Sequence, residues 1–99
     1  MLEIARMLTI STAHISKETA DLLAGEFPMQ IVPDWEMSVG IYGKEEYGWY
    51  IYFSLNEHIH PSMPEDLAAC LRLARQHQCS VLCLDSDGDV VEGLPVYDW

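Results

Sequence analysis

The most informative segment of the chain is Tyr47-Gly48-Trp49-Tyr50-Ile51-Tyr52-Phe53-Ser54, which places five aromatic residues in seven positions. Aromatic and β-branched side chains fit a pleated, half-buried surface, so the segment predicts a strand. Because side chains alternate between the two faces of a strand, the odd-numbered residues should cover the core. Tyr50, Tyr52 and Ser54 then share the other face, where they could line a groove. The prediction is a central strand, and the segment carries no catalytic signature.

The segment before it predicts a second strand and a hairpin. Residues alternate from Met37 to Tyr42, with Met37, Val39 and Ile41 on one parity. The polar run Gly43–Glu46 then leads directly into the aromatic strand. Two strands joined by so short a turn should pair antiparallel.

A strand and a short helix are predicted at the start of the chain. Apart from Arg6, the even positions from Leu2 to Ile10 are apolar, which indicates a strand that ends near Thr12. Ser16 is placed to cap the N-terminus of a helix, and Gly25 is placed to end it.

A longer helix and a buried strand are predicted in the second half. Ser62 and Glu65 have the spacing of a capping box, and an apolar stripe from Leu67 to Ala74 follows with helical spacing. Val81–Leu84 is a continuous apolar run, which indicates a strand buried on both faces.

The resulting order, β-α-β-β-α-β, predicts an α+β fold of the ferredoxin-like kind, an antiparallel sheet with two helices on one face. Val90-Val91 could add a short fifth strand, and Leu94–Trp99 forms a C-terminal tail. Ninety-nine residues suit a single domain, so residues 1–99 are predicted to form one. If Met7 is the true start, residues 1–6 are an N-terminal extension.

Composition restricts the class of partner. Sixteen acidic residues against five basic ones give a net charge of −11, which disfavours direct contact with nucleic acid or anionic membranes and favours basic partners. The simpler interpretation is that the acidic residues keep a small aromatic-rich domain in solution. The odd number of cysteines, three, and the absence of a signal peptide predict a cytoplasmic protein with reduced thiols.

Three histidines are candidate metal ligands: His14, His58 and His60. Together with a cysteine they would suit zinc by ligand type. However, Cys79 and Cys83 would lie about 13 Å apart along a strand, so they cannot easily share one ion. The favoured interpretation is histidines in loops and cysteines in the core.

The run Asp85-Ser86-Asp87-Gly88-Asp89 has alternate carboxylates, as a calcium loop does. Its glycine is one position after the second Asp, and its twelfth position is Val96 instead of Glu, so the motif fails. A turn is the favoured interpretation.

The chain ends with Tyr97-Asp98-Trp99, which has two interpretations. The tail either packs back onto the sheet and protects an edge or the open face, which we favour, or presents Tyr97 and Trp99 as an anchor to a partner.

Five segments carry a resemblance to a known family: Ile10–Ile15, Tyr47–Tyr50, Pro64–Leu67, Val81–Gly88 and Leu94–Trp99. From about Met7 onward, the chain resembles a family of short acidic bacterial proteins classed as a domain of unknown function. Such proteins are often carried on plasmids and integrative mobile elements. The resemblance implies a bacterial, mobile-element setting and supplies no activity and no catalytic residue. Small acidic proteins of such elements include anti-restriction factors that mimic the charge of DNA.

The function predicted is a non-enzymatic cytosolic accessory domain that binds another protein, with no cofactor and no catalytic residue. A sharper form is an acidic decoy for a nucleic-acid-binding protein. Candidate partner-binding residues are the two strand tyrosines, the two tail aromatics and five carboxylates: Tyr50, Tyr52, Tyr97, Trp99, Glu45, Glu46, Asp85, Asp87 and Asp89. The alternative is a small metal-dependent or thiol enzyme that uses the three histidines and a cysteine. Homodimerisation through the uncovered sheet face is a further possibility.

Overall fold

A computed structural model of the protein describes residues 4–25, 39–44, 47–55 and 59–98. Within these ranges the chain forms an α+β fold in the predicted order β-α-β-β-α-β. The elements are β1 (Met7–Ser11), α1 (Lys17–Leu23), β2 (Gly40–Lys44), β3 (Gly48–Tyr52), α2 (Glu65–Gln76) and β4 (Val81–Asp85), with a single 3-10 turn (Thr12–His14) after β1. The predicted connection Phe27–Glu36 lies outside the described residues.

The strands form one sheet in the order β1-β4-β3-β2. The hairpin of β2 and β3 is antiparallel, as predicted, and β3 pairs antiparallel with β4. β1 and β4 are parallel, so the sheet is mixed and the antiparallel arrangement predicted for it is wrong. Burial accounts for the strand order: Val81–Leu84 is buried at every position and takes the interior of the sheet, whereas β1 has exposed residues and takes an edge.

Both helices pack on one face of the sheet. The strand register places one apolar set on that face: Leu8, Ile10, Ile41, Trp49, Ile51, Leu82 and Leu84. Leu23 of α1 and Leu67 of α2 join the same buried cluster. Trp49 and Ile51 therefore face the core, as the alternation in the aromatic segment predicts. Tyr47 precedes β3 and remains 46% exposed.

Hydrogen bonds connect the N-terminal ends of the two helices. The Ser16 side chain caps α1 by accepting a hydrogen bond from the Thr19 N–H, as predicted. Asp66, in the first turn of α2, accepts one hydrogen bond from the Ser16 N–H (2.7 Å) and another from the Thr19 hydroxyl (2.8 Å). One carboxylate of α2 thus accepts two hydrogen bonds from the N-terminal end of α1.

The capping box predicted for α2 is wrong. The helix begins at Glu65 with Pro64 at the cap position and no side-chain cap. The Ser62 hydroxyl, which was expected to cap the helix, instead lies 2.7 Å from Nδ1 of His60.

The C-terminal segment contacts the 3-10 turn after β1, and Trp99 lies outside the described residues. The Tyr97 N–H donates to the carbonyl of Ala13 (2.8 Å), and Leu94 packs against the core. Val90 and Val91 form no fifth strand, because the Val91 N–H bonds to the His14 ring and Val90 is exposed. Within the described part of the chain, neither helix is long and apolar enough to cross a membrane.

Candidate functional site

The face of the sheet opposite the helices carries the polar side chains and the tyrosines of the strands, together with Met7, Val81 and Cys83. The register arranges the described residues in three rows across β1, β4, β3 and β2: Met7, Val81, Tyr52 and Gly40; Thr9, Cys83, Tyr50 and Tyr42; and Ser11, Asp85, Gly48 and Lys44. We call this side the tyrosine face. The predicted pair Tyr50 and Tyr52 lies on it, as the alternation requires.

Two tyrosines dominate the exposed part of this face. Tyr42 is 62% exposed and Tyr52 is 47% exposed, although both lie within strands. Their ring centroids are 5.4 Å apart and their planes meet at 88°. The two residues are diagonal neighbours on adjacent strands, a spacing that aromatic side chains bridge.

Gly40 leaves space beside these rings. It pairs with Tyr52, and a Cβ at Gly40 would lie 3.4 Å from Cε2 of Tyr42 and 3.6 Å from Cβ of Tyr52. A shallow cleft of about 460 Å³ lies here, and within the described part of the chain these three residues line it. We call this cleft the tyrosine notch.

A charged pair lies at the other end of the tyrosine face. The Lys44 ammonium donates a hydrogen bond to Oδ2 of Asp85 and lies 5.6 Å from the ring centroid of Tyr50. The hydrogen bond to Asp85 raises the pKa of Lys44, and the same bond lowers the pKa of Asp85. Each charge is therefore held in its ionised form by the other.

The cysteines have the environment of structural thiols. All three are buried and unbonded to one another. Burial raises the pKa of Cys70 to about 12, so its thiol stays protonated and is a poor nucleophile at neutral pH. Cys83 lies under the tyrosine face, with its sulfur 3.9 Å from the Lys44 ammonium.

His14 is buried and holds the C-terminal segment with both ring nitrogens. Nδ1 lies 2.8 Å from the carbonyl oxygen of Pro95, and the Val91 N–H donates to Nε2 at 2.8 Å. Because Nε2 accepts, Nδ1 carries the proton and donates. Neither nitrogen can ligate a metal without losing a hydrogen bond.

The other candidate metal ligands form no site with His14 among the described residues. Nδ1 of His60 contacts Ser62, and His58 lies outside the described residues. Among the residues that the structure describes, no three His, Cys, Asp or Glu side chains gather as ligands for one ion.

The run Asp85–Asp89 forms the predicted turn. The Gly88 N–H donates to the Asp85 carbonyl, and the Asp87 N–H donates to the Asp85 side chain. Asp87 and Asp89 are exposed, whereas the charge of Asp85 is compensated by Lys44. Glu45, Glu46 and Trp99 lie outside the described residues, and Tyr97 is half-buried.

A second cavity, of about 570 Å³, lies between the 3-10 turn, the β2–β3 hairpin and the C-terminal segment. Thr12, Tyr47, Trp49, Ser86 and Tyr97 are among its lining residues, and no charged side chain is found among the described ones. The described lining residues offer hydroxyl groups and three aromatic rings, and none of them is a carboxylate, an imidazole or an amine.

Sequence reasoning missed Tyr42, Gly40 and Lys44. Tyr42 has the same parity as Gly40 in β2, and it shares a face with Tyr50 and Tyr52 only in the observed hairpin register. The sequence predicts Lys44 in the turn, but it is the last residue of β2. The parity of β2 together with the length of its turn is the signal that could have found all three.

Comparison with known proteins places this chain in a family. Residues 7–99 match the family described as "Family of unknown function (DUF5983) C-terminal domain". The chain belongs to that family. The match spans all the strands and helices described above. No curated protein matches the DUF5983 chain, and no solved structure matches it.

Proposed function

We propose that this DUF5983 domain is a non-enzymatic accessory domain that binds another protein through its tyrosine face. The observation that carries the proposal is the pair Tyr42 and Tyr52, which are 62% and 47% exposed on a sheet face that neither helix covers. A domain of this size has little reason to expose two neighbouring rings unless they contact something.

Tyrosine suits this use. Its ring supplies a large contact area with few rotatable bonds, and its hydroxyl tolerates water when the surface is free. Tyr42 and Tyr52 already support one another edge to face, so little ordering is needed when a partner binds. The polar rim required by such a contact is available in Thr9, Lys44 and Asp85.

The net charge of −11 favours a basic partner. The acidic-decoy form of the proposal uses Glu45, Glu46, Asp87 and Asp89, because Asp85 is paired with Lys44. A cytosolic setting on a bacterial mobile element belongs to the same proposal and rests on the family resemblance. The alternative of a metal or thiol enzyme has less support, since His14 is engaged at both nitrogens and Cys70 is buried.

Affinity capture from a bacterial lysate tests the proposal. The wild-type domain is immobilised beside the double variant Tyr42→Ala/Tyr52→Ala, the columns are eluted in salt steps, and the eluates are identified by mass spectrometry. We expect a basic protein that the wild type retains, that moderate salt releases and that the double variant loses.

Tyr47→Ala is the matched control, because Tyr47 is 46% exposed and lies outside the tyrosine notch. Equal retention by the wild type and the double variant would place the contact on another surface and contradict the proposal. A column that retains nothing would also contradict it.

A further inference from the structure

We propose that the tyrosine notch binds a cationic side chain, lysine or arginine, supplied by an extended segment of a basic protein. The inference rests on the proposed function and specifies the chemistry of the contact. It is carried by the shape of the notch, by the ring faces that line it and by the charge around it.

Within the described part of the chain, two aromatic rings line the notch and its floor carries no side chain. The rings of Tyr42 and Tyr52 meet at 88°, so they form a corner and not a single flat platform. Gly40 contributes no side chain, and the space that its Cβ would take lies 3.4 Å from the Tyr42 ring. The cleft of about 460 Å³ is large enough for the end of one long side chain.

The faces of aromatic rings attract cations, since the ring quadrupole is negative above and below the plane. Perpendicular rings present such a face beside an edge-on neighbour, which is the start of the aromatic cages that bind ammonium groups. The tyrosine face already contains one contact of this kind, where the Lys44 ammonium lies 5.6 Å from the centroid of Tyr50.

The charge selects a cation over other occupants. The charged side chains described on the tyrosine face, Lys44 and Asp85, compensate each other, so neither satisfies the Tyr42–Tyr52 corner. The chain as a whole carries −11, which attracts a basic segment. A second copy of the chain would bring another −11 and be repelled, and an uncharged ligand would gain nothing from the field.

The test is calorimetric titration with an acetylated and amidated Gly/Ser peptide that carries three arginines, against the same peptide with citrulline at those positions. Citrulline keeps the shape of arginine and removes its charge. We expect binding of the arginine peptide and none of the citrulline peptide. Tyr42→Ala and Tyr52→Ala should each weaken binding about tenfold, whereas Tyr42→Phe, which keeps the ring, should retain it.

Gly40→Ala supplies an independent test, because its methyl group fits against both tyrosines at van der Waals distance while it fills the floor of the notch. We expect this variant to keep its circular dichroism spectrum and thermal midpoint and to lose affinity for the arginine peptide. Tyr47→Ala is the control and should bind as the wild type does.

Three outcomes would overturn the notch inference: no binding of the arginine peptide, equal binding by the wild type and the tyrosine variants, or equal binding of the citrulline peptide. If lysate capture still depended on Tyr42 and Tyr52, the proposed function would stand without the cationic contact. If capture were independent of both tyrosines, the proposed function would fail as well.

Discussion

At the scale of residues, the tyrosine face is organised by Lys44 and Asp85. Their ion pair connects the edge strand β2 to the interior strand β4 across β3, so it fixes the charged end of the face. The hydrogen bond from Lys44 lowers the pKa of Asp85 below its ordinary value of 3.8 and raises the pKa of Lys44 above 10.5. The stability that the pair contributes is therefore present between these values.

Asp85→Asn tests this pair. Asparagine keeps the acceptor for the Asp87 N–H and removes the charge, so we expect a lower midpoint of thermal unfolding at neutral pH. The carboxyl of Asp85 has a lowered pKa, so its contribution is lost as the pH falls through that pKa, and the two midpoints should converge below about pH 3.8. Asp87→Asn is the control; a pH-independent difference for Asp85→Asn would contradict the assignment.

His14→Phe tests the contact between the 3-10 turn and the C-terminal segment. The substitution keeps an aromatic ring but leaves the Val91 N–H and the Pro95 carbonyl without their partner. We expect a loss of about 2–4 kcal/mol in the free energy of unfolding by urea denaturation, together with faster hydrogen exchange at Val91. His77→Phe, at an exposed position, should change neither quantity. Unchanged exchange at Val91 would show that the ring is not what holds this segment.

At the scale of elements, the sequence predicts individual strands, turns and helix caps better than it predicts which strands pair. The α1 cap at Ser16, the β2–β3 hairpin and the buried β4 follow from neighbouring residues, and the structure confirms them. The sheet order does not follow from such signals, because β1 meets β4 across more than seventy residues. Even so, the continuous burial of β4 and the exposed positions of β1 contain the reason for the order.

The candidate site was only partly predictable for the same reason. Tyr50 and Tyr52 follow from the alternation of one strand, whereas the Tyr42–Tyr52 corner needs the hairpin register. The His14 contact with Pro95 spans 81 positions and has no local signature in the sequence. The capping-box spacing of Ser62 and Glu65 also fails to predict the structure, since the Ser62 hydroxyl contacts His60 and does not cap α2.

Gly48→Ala tests the approach of β3 to β4. A Cβ at Gly48 would lie 1.6 Å from the carbonyl oxygen of Leu84, which is rigid backbone, so the strands would have to separate. We expect a loss of more than about 4 kcal/mol in the free energy of unfolding, or failure to fold, measured by urea denaturation. Gly43→Ala, on the adjacent strand, meets nothing within 4 Å and should be nearly neutral. Near-wild-type stability of Gly48→Ala would contradict the β3–β4 register.

At the scale of the whole molecule, the helices and the two exposed tyrosines of the proposed contact lie on opposite faces of the sheet. The helices, the 3-10 turn and the C-terminal segment pack around one face of the sheet. On the opposite face Val81 and Cys83 are buried, whereas Tyr42 and Tyr52 remain exposed. A net charge of −11 surrounds this surface, so long-range attraction and short-range ring contacts would act on the same basic partner.

The decoy form of the proposed function is tested by charge reversal. In the triple variant Glu45→Lys/Asp87→Lys/Asp89→Lys, three proposed phosphate mimics become cations, so we expect the captured partner to elute at lower salt or not to bind. Glu18→Lys, Asp21→Lys and Glu92→Lys together change the net charge equally, elsewhere on the chain. If both triple variants bound equally well, these carboxylates would not act as a decoy.

Tyrosine nitration followed by mass spectrometry, with and without the lysate fraction that binds the domain, is the most direct test of a contact through the tyrosine face. Tyr42, Tyr47 and Tyr52 are similarly exposed, so all three should react in the free protein. With the partner present, we expect protection of Tyr42 and Tyr52, while Tyr47 reacts as before. Protection of Tyr47 alone, or equal reaction of all three, would contradict a contact through the tyrosine face.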